Sequence, residues 1–207
     1  MKILFVYTLG MYETVSKPVQ YQGAIHFGLS YVSSYLKSYG HETDLIVMTR
    51  ETNRKVLDGT IEEFKPGLIC FTSVCNEYPF VKELASYIKS KHSNLFLLLG
   101  GPHPTLVPDE VIKDSFDAVC IGEGEYPTLE LVKQLEQGKS PSGIKSLWIK
   151  KDGIIEKNPT YNFIQDLDDL PYPDRDMWQK WILYPKSRQH VVVSRGCPFI
   201  CTYCSNH

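Results

Sequence analysis

The sequence predicts an α/β fold: a flavodoxin-like, doubly wound sheet of five parallel strands in the order 2-1-3-4-5. Two observations lead to this prediction. Five short apolar runs, typical of strands that are buried on both faces, occur within the first 140 residues. Apolar residues at helical spacing lie between these runs, which is the pattern of repeated strand–helix units. The chain of 207 residues is long enough to bury such a sheet.

Each predicted strand is a continuous apolar run. In chain order the runs are KILFVY (2–7), TDLIVM (43–48), GLICFTS (67–73), NLFLLL (94–99) and DAVCI (117–121). The predicted helices rest on apolar periodicity and on stop signals. Gly40 ends the first helix, Pro66 ends the second, and Gly138 ends the last, in which Pro127 suits the first turn. A third helix is centred on 81–88, and a short one lies near 108–114.

The sequence changes character after the sheet, which divides the chain into three predicted parts. Residues 1–140 form the sheet domain. Residues 141–187 contain a predicted β-hairpin at 144–157, which turns at Asp152-Gly153, and an acidic, proline-containing extended linker at 158–177. Residues 188–207 begin with HVVVSRGC (190–197), a predicted buried strand that runs into a cysteine-rich loop.

Composition excludes several classes of protein. The net charge of −2 gives no basic footprint for nucleic acid. No apolar run approaches the ~20 residues of a membrane span, and the first residues lack the pattern of a signal peptide. We therefore expect a cytoplasmic protein, in which clustered cysteines point to metal or redox roles rather than disulfides. Cys70 and Cys120, inside apolar runs, are expected to be small buried side chains.

Glycines follow two neighbouring strands at the edge of the sheet where ligands bind in this architecture. Gly100 and Gly101 come after the fourth strand, and Gly122 and Gly124 after the fifth. Ordinary turns would explain one such pair, but two adjacent pairs predict a ligand slot without obstructing side chains. The slot is not a dinucleotide site, because YTLGMYET follows the first strand in place of G-x-G-x-x-G.

Three cysteines form the most specific motif of the chain. Cys197, Cys201 and Cys204 are spaced C-x3-C-x2-C. One interpretation adds His207 as a fourth ligand and makes a compact zinc site. The other uses the three cysteines alone for a [4Fe–4S] cluster that leaves one iron open for a substrate. The spacing favours the cluster.

These residues together resemble a known family. CPFICTYC is similar to the cysteine signature of radical S-adenosylmethionine (SAM) enzymes. LLLGGPHPTLVPDEVI and DAVCIGEGEYPTLELV resemble the cobalamin-binding domain that precedes the barrel in the B12-binding radical SAM superfamily. The resemblance covers nearly the whole chain. It implies a sheet of the cobalamin-binding type, followed by the first strand of an incomplete radical SAM (β/α) barrel.

The resemblance also implies cofactors and a reaction. Cys197, Cys201 and Cys204 would hold a [4Fe–4S] cluster that cleaves SAM to a 5′-deoxyadenosyl radical, with Tyr203 near the adenine. Cobalamin would contact Ser73, Val74, Gly100, Gly101, His103, Gly122, Glu123 and Gly124. The outcome would be methyl transfer to an unactivated carbon, or a radical rearrangement or cyclisation. A small-molecule substrate and an electron donor such as flavodoxin or ferredoxin are the expected partners. The alternative is a non-catalytic corrinoid-binding module with a structural zinc site.

Two features depart from related patterns. The motif D-x-H-x-x-G, with which other cobalamin proteins ligate cobalt, is incomplete around His26, where the chain reads AIHFGL. We therefore expect His26 to be a loop or helix-start residue and not a cobalt ligand. A complete barrel needs roughly 200 further residues. We accordingly expect the N-terminal portion of a longer enzyme, catalytically incomplete by itself. Glu123 and Glu125 are open to two interpretations, an acid–base pair or acidic residues that favour a helix N-terminus.

Overall fold

Seven strands form one sheet in the computed structural model, which describes residues 1–199, 201–202 and 204. The described residues contain nine strands in all, of which β2 and β9 lie outside this sheet. They are β1 (Lys2–Thr8), β2 (Val19–Tyr21), β3 (Glu42–Met48), β4 (Leu68–Thr72), β5 (Phe96–Gly100), β6 (Ala118–Cys120), β7 (Leu147–Lys151), β8 (Ile154–Lys157) and β9 (Ile182–Tyr184). The large sheet has the order β3-β1-β4-β5-β6-β7-β8. Its first five strands are parallel, which confirms the predicted doubly wound sheet and its 2-1-3-4-5 order.

Helices cover both faces of this sheet. They are α1 (Phe27–Ser38), α2 (Arg54–Phe64), α3 (Tyr78–Lys91), α4 (Pro102–Leu106), α5 (Pro108–Val111) and α6 (Glu125–Glu136). Alternate residues of β1 enter two different cores, with Ile3 and Phe5 on the side of α1 and α6 and Leu4 and Val6 on the side of α2 and α3. Because the parallel strands are buried on both faces, they appear in the sequence as unbroken apolar runs.

The predicted hairpin is an extension of the sheet. β7 pairs antiparallel with β6, so that Ile149 lies opposite Ala118, and β8 pairs antiparallel with β7. The turn between them has positive φ at both Asp152 (50°) and Gly153 (79°), the combination that two-residue hairpin turns require. The sequence predicted this turn, but not the attachment of the hairpin to the end of the parallel sheet.

Residues 158–181 pack onto the sheet domain instead of running free of it. Short 3-10 turns occur at Leu167–Asp169 and Asp176–Trp181. The side chain of Trp178 is fully buried, and its Nε1 donates a hydrogen bond to Ser30 Oγ at 2.8 Å. Trp178 belongs to the same apolar core as α1 and α6. The predicted linker is therefore a packed segment over α1.

A second, smaller sheet joins the residues that follow this segment to a strand near the start of the chain. β9 pairs in parallel with β2, which joins Val19 to Ile182 and Tyr21 to Tyr184. Neither strand was predicted, because each has only three residues and lacks a sustained pattern.

The prediction of a buried strand at 190–197 is wrong for this structure. These residues have no regular secondary structure, and Val191 and Val193 are 77% and 87% exposed. A strand needs a hydrogen-bonded neighbour, and none of the described strands pairs with this segment. The predicted short helix near 108–114 is found as α5, while α4 before it was not anticipated. No helix in the described part of the chain is long and apolar enough to cross a membrane.

Candidate functional site

A cleft of about 480 Å³ opens at the carboxyl ends of the parallel strands. Five of the predicted ligand residues line it, namely Gly100, Gly101, Gly122, Glu123 and Gly124. The turns after β5 and β6 form its floor, and the first turns of α1 and α6 form its walls. The slot predicted from the two glycine pairs is therefore present as a space in the fold.

The glycines of the floor serve different physical needs. Gly101 has φ of +100°, and a Cβ there would lie 2.5 Å from Thr72 Oγ1, so only glycine fits the turn. Gly122 also has positive φ (+81°), but a Cβ there would meet no atom within 4 Å. At Gly100 the nearest atom to a built Cβ is Cys120 Cβ, at an ordinary 3.7 Å. Gly101 thus shapes the backbone, while Gly100 and Gly122 leave space over the floor.

Ser73, Val74 and His103 lie beside the cleft and do not line it. The buried Ser73, which follows β4, is bound to the turn after β5, because its N–H donates to Gly100 O (3.1 Å) and its carbonyl accepts from His103 N–H (3.1 Å). The His103 ring packs on Tyr78, with centroids 4.4 Å apart, and burial lowers the pKa of His103. Ser73 and His103 support the floor from the side of α4, whereas Val74 is 43% exposed.

His26 was predicted to start a helix, and this is confirmed. Its Nδ1 accepts a hydrogen bond from Leu29 N–H at 3.1 Å, which makes it the N-cap of α1. Its ring lines the cleft beside Tyr7, at 5.5 Å between ring centroids. Burial lowers the pKa of His26 to about 4, so the imidazole is neutral at pH 7. Since Nδ1 accepts, Nε2 carries the proton.

The walls of the cleft include side chains that sequence reasoning did not assign to a site. Phe27, Tyr31 and Val32 come from α1, and Cys70 and Cys120 come from β4 and β6. Burial raises the pKa of both thiols, that of Cys120 to about 12, so both stay protonated. The prediction that these two cysteines are small buried side chains is confirmed. They line an apolar wall, a role that periodicity alone does not reveal.

The segment before the cysteines lies across the mouth of the cleft. Arg195 Nη1 is 2.9 Å from Glu123 Oε1, and Arg195 Nη2 is 2.6 Å from Glu125 Oε1. The guanidinium also lies over the ring of Tyr31, 4.8 Å from its centroid. Partial burial acts to lower the pKa of Arg195, but the hydrogen bonds that Arg195 donates to Glu125 and Glu123, together with the negative charges of these glutamates, outweigh the burial and raise that pKa. Arg195 and Gly196 consequently line the cleft as well.

The cysteine loop begins directly after this contact. Cys197 lines a larger open space of about 1430 Å³ together with Gly122 and Glu123. Cys201 is half-buried, and its carbonyl accepts a hydrogen bond from Cys204 N–H at 3.0 Å. Among the residues that the structure describes, no three His, Cys, Asp or Glu side chains are arranged around a metal position. Tyr203 and His207 lie outside the described residues.

The fold and the cleft define an α/β domain with room for a small molecule at the carboxyl ends of its parallel strands, where ligands bind in folds of this class. Within that class, the family model described as "B12 binding domain" matches residues 21–132, more than half of the chain. The chain belongs to this family. The resemblance of its glycine turns to a cobalamin-binding domain is confirmed.

Relatives with similar sequences include two kinds of enzyme. An uncharacterized methyltransferase of Pyrococcus horikoshii is 30% identical over 211 residues, an alignment that covers all of this chain and 45% of the relative. An anaerobic magnesium-protoporphyrin IX monomethyl ester cyclase of Rubrivivax gelatinosus is 28% identical over 86% of this chain and 34% of the cyclase. The chain therefore spans less than half the length of these relatives.

Solved structures share the fold at lower identity. The cobalamin-dependent SAM radical enzyme OxsB, with aqua-cobalamin and SAM bound, matches 98% of this chain and 28% of its own with a TM-score of 0.75 at 20% identity. The radical SAM methyltransferase TsrM from Kitasatospora setae matches 76% of this chain and 30% of its own with a TM-score of 0.63 at 17% identity. At these identities the likeness concerns the fold.

Proposed function

We propose that this chain is the cobalamin-binding portion of a cobalamin-dependent radical SAM enzyme and carries the cysteine loop for its [4Fe–4S] cluster. One observation above all supports the proposal. Gly122 and Glu123, in the turn after β6, line both the glycine-floored cleft and the open space that Cys197 also lines. A cofactor in the cleft and a cluster on the loop would therefore be neighbours.

The cleft has the features that a large, flat-sided cofactor needs. Its floor is free of side chains at Gly100 and Gly122, and its walls contain apolar side chains from α1 and β4 beside polar groups such as His26 and Arg195. Gly100, Gly101, Gly122, Glu123 and Gly124 would contact cobalamin directly. Ser73 and His103 would hold the turn after β5 below it, and Val74 would lie beside it. His26 would offer an N–H group to the cleft and no lone pair, since its Nδ1 is occupied by Leu29 N–H. We therefore assign no cobalt ligand to His26.

The cysteine loop has the donor chemistry of an iron–sulfur site. Thiolates are the usual ligands of such clusters, and Cys197, Cys201 and Cys204 lie within eight residues of one another. When bound, the cluster supplies the electron that cleaves SAM, and cobalamin supplies a methyl carrier. Tyr203 would lie near the adenine of SAM.

We further propose the class of reaction and the partners. The reaction would be methyl transfer to an unactivated carbon, or a radical rearrangement or cyclisation, in keeping with relatives named as a methyltransferase and as cyclases. Its substrate would be a small molecule, and its electron donor a protein such as flavodoxin or ferredoxin. We place the enzyme in the cytoplasm.

Hydroxocobalamin binding tests the cleft. Gly100→Val is expected to abolish binding while leaving the fold intact, because a Cβ at Gly100 makes only ordinary contacts but faces the cleft. Gly59→Val, on the exposed side of α2, is the matched control and should bind like the wild type. Binding is measured from the visible absorbance of cobalamin after gel filtration. Equal retention by the wild type and Gly100→Val would contradict the assignment of the cleft.

Anaerobic reconstitution with iron and sulfide tests the cysteine loop. The wild type is expected to develop broad visible absorption that bleaches on reduction, and Cys197→Ala should lose it. Cys75→Ala removes an exposed cysteine outside the loop and should keep it. Stoichiometric zinc without such absorption would overturn the radical assignment and support a corrinoid-binding module with a structural zinc site.

A further inference from the structure

We propose that Arg195 is a latch that fixes the position of the cysteine loop relative to the cleft, held by Glu123 and Glu125. These two glutamates follow β6 in the turn GEGE, and Arg195 lies two residues before Cys197. The contact thus connects the two parts of the molecule that the proposed function assigns to different cofactors. The effect of this contact on the spacing between the two cofactors rests on the proposed function. The contact itself does not depend on that proposal.

The geometry of the contact is specific to arginine. Two nitrogens of one guanidinium engage two different carboxylates, at 2.9 Å to Glu123 and 2.6 Å to Glu125. The ring of Tyr31 covers the guanidinium at 4.8 Å. A planar group with several fixed donors can satisfy all three neighbours at once, while a lysine ammonium is a single point charge on a flexible stem.

Burial makes the loss of either partner costly. The side chain of Glu125 is only 3% exposed, and that of Arg195 is 24% exposed. A surface ion pair contributes little, but removal of one partner from a buried pair leaves an uncompensated charge in the interior. Glu125 is also the first residue of α6, where a negative charge is favourable, but that position alone would not require its carboxylate to face Arg195.

Glu123 is held from a second direction. Its Oε2 accepts a hydrogen bond from Ile164 N–H at 2.7 Å, so the packed segment over α1 fixes the same carboxylate that binds Arg195. The Glu123 carboxylate is therefore oriented by Ile164 independently of Arg195. Gly196 follows with φ of +77°, which turns the chain toward Cys197 immediately after the latch.

Limited trypsin digestion tests the latch without any cofactor. Cleavage after Arg195 requires its side chain to leave both glutamates, whereas Arg188 is exposed and serves as an internal reference. In Glu123→Gln and in Glu125→Gln, we expect the ratio of cleavage after Arg195 to cleavage after Arg188 to rise about tenfold. Glu62→Gln, exposed on α2, is the control and should leave the ratio unchanged.

Two glutamate variants are used so that the test remains informative if one of them fails to fold. Glu125 is nearly inaccessible, so Glu125→Gln risks a general destabilisation, but Glu123 is 19% exposed and its variant is milder. Thermal unfolding of each variant identifies any general loss of stability. An unchanged cleavage ratio in a folded Glu123→Gln protein would overturn the latch.

Electron paramagnetic resonance tests whether the latch sets the distance between the cluster and the cobalt. The wild-type chain is reconstituted with iron and sulfide, supplied with hydroxocobalamin and reduced to the state in which cluster and cobalt each carry an unpaired electron. We expect the two signals to broaden each other in the wild type. In Arg195→Gln this broadening should be lost while both signals persist, and Arg195→Lys should restore part of it. Arg188→Gln is the charge-matched control.

The outcomes separate the latch from the proposed function. If the wild type binds only one cofactor or neither, the proposed function fails, and the trypsin ratio still decides the latch. If both signals appear but the broadening in Arg195→Gln equals that of the wild type, the latch does not set the spacing and the inference is overturned.

Discussion

His26 shows how the surroundings of a single residue determine its chemistry. Its Nδ1 caps α1 and its ring faces the cleft, where burial lowers its pKa to about 4. The unfolded chain would protonate the same ring near pH 6.5. Between these two values the unfolded state binds more protons than the folded state. The contribution of His26 to stability is therefore complete above about pH 6.5 and declines as the pH falls toward 4.

The variant His26→Asn isolates this effect. Asparagine is a good N-cap, so α1 should keep its start, but its amide does not titrate. Between pH 7 and pH 4.5 we expect the wild type to lose about 2 kcal/mol more unfolding free energy than His26→Asn. Urea denaturation at both pH values, followed by circular dichroism, measures the difference. Parallel losses in the two proteins would show that the imidazole does not titrate as inferred.

Individual residues of the cleft were predictable from the sequence where the backbone conformation requires a particular residue type. Gly101 and Gly122 both have positive φ, and turns of this kind after buried strands are visible in sequence. The aromatic wall from α1 was not predictable, because Phe27 and Tyr31 fit an ordinary amphipathic helix equally well. Only the tertiary fold brings that helix end over the floor of the cleft.

At the scale of elements, the hairpin β7–β8 completes the sheet. β6 has only three residues, and β7 covers its outer edge through antiparallel hydrogen bonds. Without the hairpin, the strand that carries the GEGE turn would be an exposed edge. The hairpin and its Asp152-Gly153 turn were predicted from the sequence, but its pairing with β6 was not. The hairpin pairs with whichever edge strand of the parallel sheet is free, and the order of all the strands determines which strand that is.

Two isoleucines of the hairpin test its integration into the core. Ile149 is 1% exposed on β7, and Ile154 is 71% exposed on β8. Ile149→Ala is expected to lower the unfolding free energy by about 2–5 kcal/mol, through lost burial and a cavity. Ile154→Ala, the control on the same hairpin, should change it by no more than about 0.5 kcal/mol. Chemical denaturation measures both. Equal, small effects would mean that the hairpin is an independent appendage.

At the scale of the whole molecule, the segment 158–181 joins distant parts of the chain. Asp174 binds α1 twice, since Ser33 Oγ donates to its Oδ2 at 2.7 Å and Lys37 Nζ pairs with the same oxygen at 2.7 Å. Trp181 Nε1 donates to Leu45 O at 3.1 Å. Composition identified residues 158–177 of this segment as a linker, because they are acidic and contain three prolines. Its few large apolar residues provide the packing, and a compositional average hides them.

Trp178 is the test of this integration. Trp178→Ala is expected to lower the unfolding free energy by about 3–5 kcal/mol, because it empties a fully buried site and removes the donor to Ser30. Tyr172→Ala, in the same segment, removes a side chain that is 94% exposed and should be nearly neutral. Urea unfolding followed by circular dichroism compares the two. A wild-type stability in Trp178→Ala would make 158–181 a true linker.

The parallel pair of β2 and β9 has a consequence for synthesis on the ribosome. It joins residues near the beginning of the chain to residues near 184, so it cannot form until almost all of this chain has emerged. Contacts between such distant residues carry a high loop-closure cost and form slowly. Until then, the face of α1 that receives Trp178 remains uncovered during translation. We expect chaperones that bind exposed apolar surfaces to contact the nascent chain in that interval, before β9 pairs with β2.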